Sequence, residues 1–350
     1  MKSSSRWIRR ALWLGASAAI AVTLAVTGVA SSVAAAPASP SSATHKGPGY
    51  PPPSGIYTPF TNCPLNNQVM HEATSFTACV GALAVGGSIT LGNITTPVIA
   101  PVHVQFGFYT APNATNYATV VPPLAGEGAQ LVTKPDLIPE SLTTALGCPS
   151  SNATVAALCN EAQQNPQDNV VYALAQSAGA ITNFNLLSWT QPVKFQLVNP
   201  LLGNSCYIGQ DGFPAVLNPS LTLNSAQIIY DPNPAAHPDT FVIAAQATAS
   251  DTTFTAPGVI GCGPGGAANI AVDQAIDASA GLPAASGVNS LVLSGAFNIA
   301  ACTASEDSTL VQPQDDAAIL LSAFEATPSG KPLTGHRITA SQVRRLFGLK

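Results

Sequence analysis

Ser177 is the residue whose surroundings come nearest to spelling a reaction. It lies in Ala175-Gln176-Ser177-Ala178-Gly179, after the apolar run from Val170 to Leu174. With Ala in place of the first Gly, this matches the strand-and-turn that raises a nucleophilic serine. Such a serine needs a histidine base and an acid that orients it. In chain order Ser177, Asp239 and His336 can be arranged that way, and Asp231, Asp251 and His237 are also available. No oxyanion loop of the HG type precedes the serine, and the strand–helix alternation that carries such sites is missing. A strand ending in a small-residue turn explains the same five residues without chemistry. A secreted serine hydrolase is therefore an alternative, and a non-enzymatic protein is the first expectation.

Gly261-x-Gly263-x-x-Gly266 precedes the apolar stretch Ala267 to Ala278 and has the spacing of a dinucleotide loop. A working loop needs a full strand before it and an acid about 20 residues on for the ribose. Pro257-Gly258 breaks the first, and residues 281–287 contain no acid. The expectation is a glycine turn before a helix, with no cofactor. The adjacent acids Asp315 and Asp316 lack the alternating spacing of calcium loops. His45, His71 and His103 are scattered, so no metal site is expected.

Cysteine chemistry is more informative. Cys63, Cys79, Cys148, Cys159, Cys206, Cys262 and Cys302 come without a CxxC or a histidine pair, which speaks for disulfides over zinc. Spacing favours Cys63–Cys79 and Cys148–Cys159 as short loops and Cys206–Cys262 as a longer staple, leaving Cys302 as a free thiol. Seven cysteines allow about a hundred such arrangements, so other pairings stay open.

The elements that must position these residues read as mainly β. Val102, Val104, Phe106 and Phe108 alternate with His103, Gln105 and Gly107, the signature of a half-buried strand. Similar strands are expected at Ser88–Leu91, Val193–Val198, Leu221–Tyr230, Thr240–Ala247 and Ser290–Ala300. Helices are expected after the cap Asn152, over Ala267–Ala278, and over Thr339–Leu349, where Thr339 and Gln342 can form a capping box. The fold class is antiparallel, sandwich-like sheets with a few short helices, stapled by disulfides. Residues 61–304 make up this body, as one domain or two packed sub-domains.

The ends carry different signals. Lys2, Arg6, Arg9 and Arg10, then an uncharged run from Ala11 to Val26 and small residues up to Ala36, form the three parts of a signal peptide over residues 1–36. Arg9-Arg10 also partly matches the twin-arginine signal, though disulfides suit export of an unfolded chain better. Residues 37–60, with Pro51-Pro52-Pro53, read as an extended linker. No membrane span is expected after cleavage.

Beyond residue 36 there are eight basic and 17 acidic residues, a formal net charge of −9. That disfavours a nucleic-acid partner. Only 8% of the chain is charged, so the surface must be built from Ser, Thr, Asn, Gln and backbone. Lys331, Arg337, Arg344, Arg345 and Lys350 crowd into the last twenty residues of the 305–350 tail, where no acid lies. With Val343, Leu346 and Phe347 on one face, this is a basic amphipathic helix. Arg337, Arg344, Arg345 and Lys350 are candidates for contact with an anionic envelope polymer, a lipid or a surface protein. The competing expectation is a helix docked on an acidic body.

Several segments are similar to a family of uncharacterised secreted proteins of actinobacteria. They include Asn62-Cys63-Pro64-Leu65, Gly87-Ser88-Ile89-Thr90-Leu91-Gly92-Asn93, Thr182-Asn183-Phe184-Asn185-Leu186, Asn199-Pro200-Leu201-Leu202-Gly203-Asn204-Ser205-Cys206-Tyr207-Ile208-Gly209, His237-Pro238-Asp239-Thr240-Phe241 and Gly261-Cys262-Gly263-Pro264-Gly265-Gly266. The resemblance implies export, one body of constant length and a structural use of the cysteines. It implies no catalytic residue, ligand or cofactor. The functional expectation is a secreted or envelope-associated protein that binds or structures something at the cell surface. A lipid carrier with an apolar pocket between its sheets is a further alternative.

Overall fold

The structure, a computed structural model, describes residues 55–71, 76–110, 117–123, 131–231, 240–302 and 335–346. The expected signal peptide, most of the expected linker, and Asp239, Asp315, Asp316 and Lys350 lie outside those residues. The strands in chain order are β1 (Thr77–Leu91), β2 (Ile94–Pro97), β3 (Val102–Tyr109), β4 (Thr119–Val121), β5 (Leu131–Val132), β6 (Asp136–Leu137), β7 (Tyr172–Ser177), β8 (Gln191–Val198), β9 (Tyr207–Ile208), β10 (Ala215–Leu217), β11 (Ser220–Tyr230), β12 (Thr240–Asp251), β13 (Val259–Ile260), β14 (Ser290–Cys302) and β15 (His336–Arg337). The helices are α1 (Gln68–His71), α2 (Leu142–Ala145), α3 (Ala153–Gln164), α4 (Ala267–Ala280) and α5 (Ala340–Leu346).

The protein is mainly β, in two antiparallel sheets. A nine-stranded sheet runs β15-β11-β12-β14-β1-β3-β4, with β2 on β1 and β5 on β3. A six-stranded sheet runs β13-β9-β8-β7-β6, with β10 on β8. Ala78, Val80, Phe106, Phe108, Ile228, Phe241, Ile243, Phe297 and Ile299 share the inner face of the large sheet, where Ile181, Phe184 and Leu186 from the β7–β8 connection pack against them. The edge of the Phe184 ring lies 5.0 Å, centroid to centroid, from both Phe106 and Phe108, an arrangement aromatic quadrupoles favour. Farther along the same face, Leu91, Val102 and Leu291 join Val193, Phe195 and Leu197 of the small sheet and α2, α3 and α4 in a second core.

Two β-bulges keep this face apolar over its whole length. The register slips between Ala84 and Gly86 on β1 and between Leu223 and Ser225 on β11. An uninterrupted period of two would have turned Ile89, Leu91, Ala226 and Ile228 to the other side.

At one end the outer face is covered too. Gly55–Phe60 forms a 3-10 turn, and Tyr57, Phe60, Leu65 and Met70 pack on Val242, Ala300, Cys79 and Val121. The backbone comes so close that a Cβ at Gly81 would overlap the Pro59 carbonyl. The Tyr57 hydroxyl donates to Asp231 across the sheet at 2.6 Å. Residues 55–60 were expected to be linker; two aromatic side chains and this hydrogen bond make them part of the body.

The disulfides are Cys63–Cys79, Cys148–Cys159 and Cys206–Cys262. They tie the N-terminal segment to β1, α3 to the end of α2, and β9 to the loop before α4. Cys302 ends β14 opposite Thr240.

Candidate functional site

The glycine-rich loop is occupied by its own helix. Gly266 (φ +63°) is the cap of α4 and offers no side chain. Asn269 accepts from the Gly265 N–H at 2.7 Å, and Asp273 accepts from the N–H groups of Gly261 and Cys262 at 3.0 and 2.8 Å. Asp277 accepts from Val259 N–H at 2.7 Å. Burial raises the Asp277 carboxyl above the usual carboxylate range, the Val259 N–H pulls it back, and the neighbouring Asp273 charge adds to the rise. Donors that would cradle a phosphate are thus engaged by side-chain oxygens of Asn269 and Asp273 on the same helix. The strand before the loop is two residues long, and Cys262 is in its disulfide.

Ser177 ends β7 opposite Val193. Its hydroxyl donates to the Gly179 carbonyl at 2.8 Å, and the chain continues into the β7–β8 connection instead of a helix. His336 sits on β15, an edge strand of the other sheet, opposite Ile228. Among the described residues no histidine is hydrogen-bonded to Ser177, and His237 and Asp239 lie outside them.

The tail is docked. Thr339 N–H donates to Gln342 Oε1 at 2.7 Å and Gln342 N–H to Thr339 Oγ1 at 3.3 Å, the two halves of a capping box. Val343 is 1% exposed and packs in the inner core of the large sheet. Of the apolar face of α5, Val343 is therefore spent on the body, while Leu346, Arg337 and Arg345 are exposed and Phe347 lies outside the described residues. The side chain of Arg344 is outside the described residues.

Two surfaces remain; the sequence named the residues of neither, though an apolar pocket between the sheets was among its alternatives. The first is the uncovered part of the outer face of the large sheet. Register places Gln227, Ala244 and Asn298 in one row, which continues to Gly81 and Gln105 where the 55–71 segment covers it. Ser225, Gln246, Ala296, Leu83 and His103 form the next, and Thr222, Thr248 and Ser294 a third. Adjacent strands lie about 4.8 Å apart, so Thr222, Thr248 and Ser294 follow one another at that interval, while in the other rows small or apolar residues such as Ala244 and Ala296 stand between the polar ones. Among the described residues of these rows the only charged side chain is Arg337, beside Gln227 on the edge strand. Internal bonds are few, such as Asn224 to Thr248 at 3.1 Å and Asn298 to the Gly81 carbonyl at 3.3 Å. The alternation of Thr222, Gln246, Thr248 and Ser250 with apolar neighbours was the signal in the sequence.

The second is a cleft between the sheets, about 580 Å³ with its mouth included. Ile89, Leu91 and Ile94 of the β1–β2 hairpin face Phe195, Leu197 and Ile208 of the small sheet across it. Among the described residues no three metal-binding side chains converge and no helix is long and apolar enough to cross a membrane. Compared with protein-family models, curated proteins and solved structures, the chain finds no match.

Proposed function

We propose that this is a secreted or envelope-associated, non-enzymatic protein that binds a hydroxyl-rich polymer of the cell surface through the open outer face of its large sheet. The observation that supports this is the row pattern of Gln, Asn, Ser and Thr, uncharged across its middle and bordered by Arg337. A lattice of neutral donors and acceptors can exchange its water for the hydroxyls of a glycan with little desolvation penalty. A face rich in Lys and Glu would lose more hydration. Arg337 adds preference for polymers that carry some negative charge. The engaged loop before α4 and the lone Ser177 hydrogen bond are consistent with a binding role.

The test is co-sedimentation of the purified protein with insoluble wall polysaccharide. Wild type is expected in the pellet. Thr248→Glu combined with Ser294→Glu, which places two carboxylates side by side in the middle of the face, is expected to release it. Wild type remaining in the supernatant, or variant and wild type pelleting alike, would overturn the reading.

A further inference from the structure

We infer that the cleft between the sheets is a binding site for the aliphatic chain of a single-chain amphiphile with an anionic head. Protein interiors pack as tightly as organic crystals, and a void lined by aliphatic carbon forfeits dispersion contacts. Here the shortfall has an identifiable origin. Ala173 and Ala175, which occupy successive inward positions of β7, are too short to reach the β1–β2 hairpin opposite. Both are only partly buried, as are Ile89 and Ile94, so solvent reaches the aliphatic walls.

The polar groups at the cleft select the head. Thr133 is used, its hydroxyl donating to the Ala175 carbonyl at 2.6 Å. Asp136 is used as well, since one carboxylate oxygen accepts from the N–H groups of Ile99 and Ala100 at 2.8 and 2.6 Å. These two donors offset the negative charge it would show to a ligand. Lys134 is different. It lines the cleft, its side chain is exposed, and among the described residues its ammonium has no hydrogen-bond or ion-pair partner. An apolar slot with one unspent cation at its rim fits a fatty carboxylate or a comparable anionic amphiphile.

This site is independent of the polymer-binding reading, because it lies on the inner side of the large sheet and uses none of the same residues. Binding is measured by the emission of a fluorescent long-chain fatty acid titrated with delipidated, disulfide-intact protein, beside its alcohol and trimethylammonium analogues. Wild type is expected to bind the acid saturably and in preference to the trimethylammonium analogue. Ala175→Leu, which fills the cleft, should weaken acid and alcohol alike by about tenfold or more. Lys134→Glu, an exposed change that leaves packing alone, should weaken the acid, favour the ammonium analogue and leave the alcohol unchanged. No saturable binding by wild type, or an unaltered head preference in Lys134→Glu, overturns the proposal. So does association only with phosphatidylglycerol vesicles, with the monomeric acid treated alike by wild type and both variants.

Discussion

Asp277 is a carboxylate recruited for its acceptor atoms and penalised for its charge. Its carboxyl is raised above the usual range chiefly by burial, so the folded protein holds that proton more tightly than the unfolded chain does. The stabilisation linked to it is full at low pH and is lost as pH rises through the raised value. Asn at this position keeps an oxygen for the Val259 N–H and carries no charge. Asp277→Asn is therefore expected to match or exceed wild type in denaturant midpoint at neutral pH, with the margin narrowing on acidification into the carboxylate range. Chemical denaturation at several pH values measures it; a margin that widens on acidification would contradict the account. The role of this residue was not legible in the sequence. Its partners are backbone N–H groups, which carry no residue-type signal, and Asp273 and Asp277 read there as polar positions of an ordinary helix.

Among the elements, those with a solvent side were the easiest to read. In β3, β8, β11, β12 and β14 one face is apolar over most of the length, and period-two alternation announces it. The start of β1, Thr77 to Gly81, was missed because both its faces are covered there, one by the core and one by residues 55–71. Such a strand loses its alternation. The same covering hid residues 55–60, whose proline-rich context reads as linker while Tyr57 and Phe60 supply the anchor. Tyr57→Phe keeps the ring and deletes the hydroxyl that reaches the buried Asp231. It is expected to cost about 1–3 kcal/mol in equilibrium denaturation and to speed proteolysis within residues 55–71. Unchanged stability would mean that the aromatic packing alone holds the segment.

The whole molecule divides its fastening between covalent and apolar means. Two disulfides, Cys148–Cys159 and Cys206–Cys262, lie in the layer of the small sheet and its helices, and Cys63–Cys79 lies on the large sheet. None bridges the two sheets, which meet through side chains such as Leu91, Leu291 and Phe195. Replacing Cys206 and Cys262 together by Ala opens a loop of 56 residues and should cost about 2–4 kcal/mol, lowering the thermal midpoint. The other two disulfides should still form, as peptide mapping would show. Loss of all three would tie the large sheet to the small one more closely than this layout allows. The fold class and the favoured pairs were legible because alternation and cysteine spacing are local. The lining of the cleft was not, since it forms only where β7 and the β1–β2 hairpin, some 80 residues apart, fail to fill the space between them; the sequence offered only the general alternative of an apolar pocket between sheets.

The placement of β14 has a consequence for the order in which the chain can be made into a protein. It lies between β1 and β12 and pairs with both along nearly its whole length, yet nearly 40 residues separate it from β12 and almost 200 from β1. While the ribosome is still synthesising residues 252–289, two long strands wait with open edges and no partner between them. Each is a template for pairing with another molecule. A chain cut short before Ser290 would not be a smaller version of the fold; it would be two unmatched edges. Until its central strand arrives, the newborn polypeptide carries both edges open to such pairing.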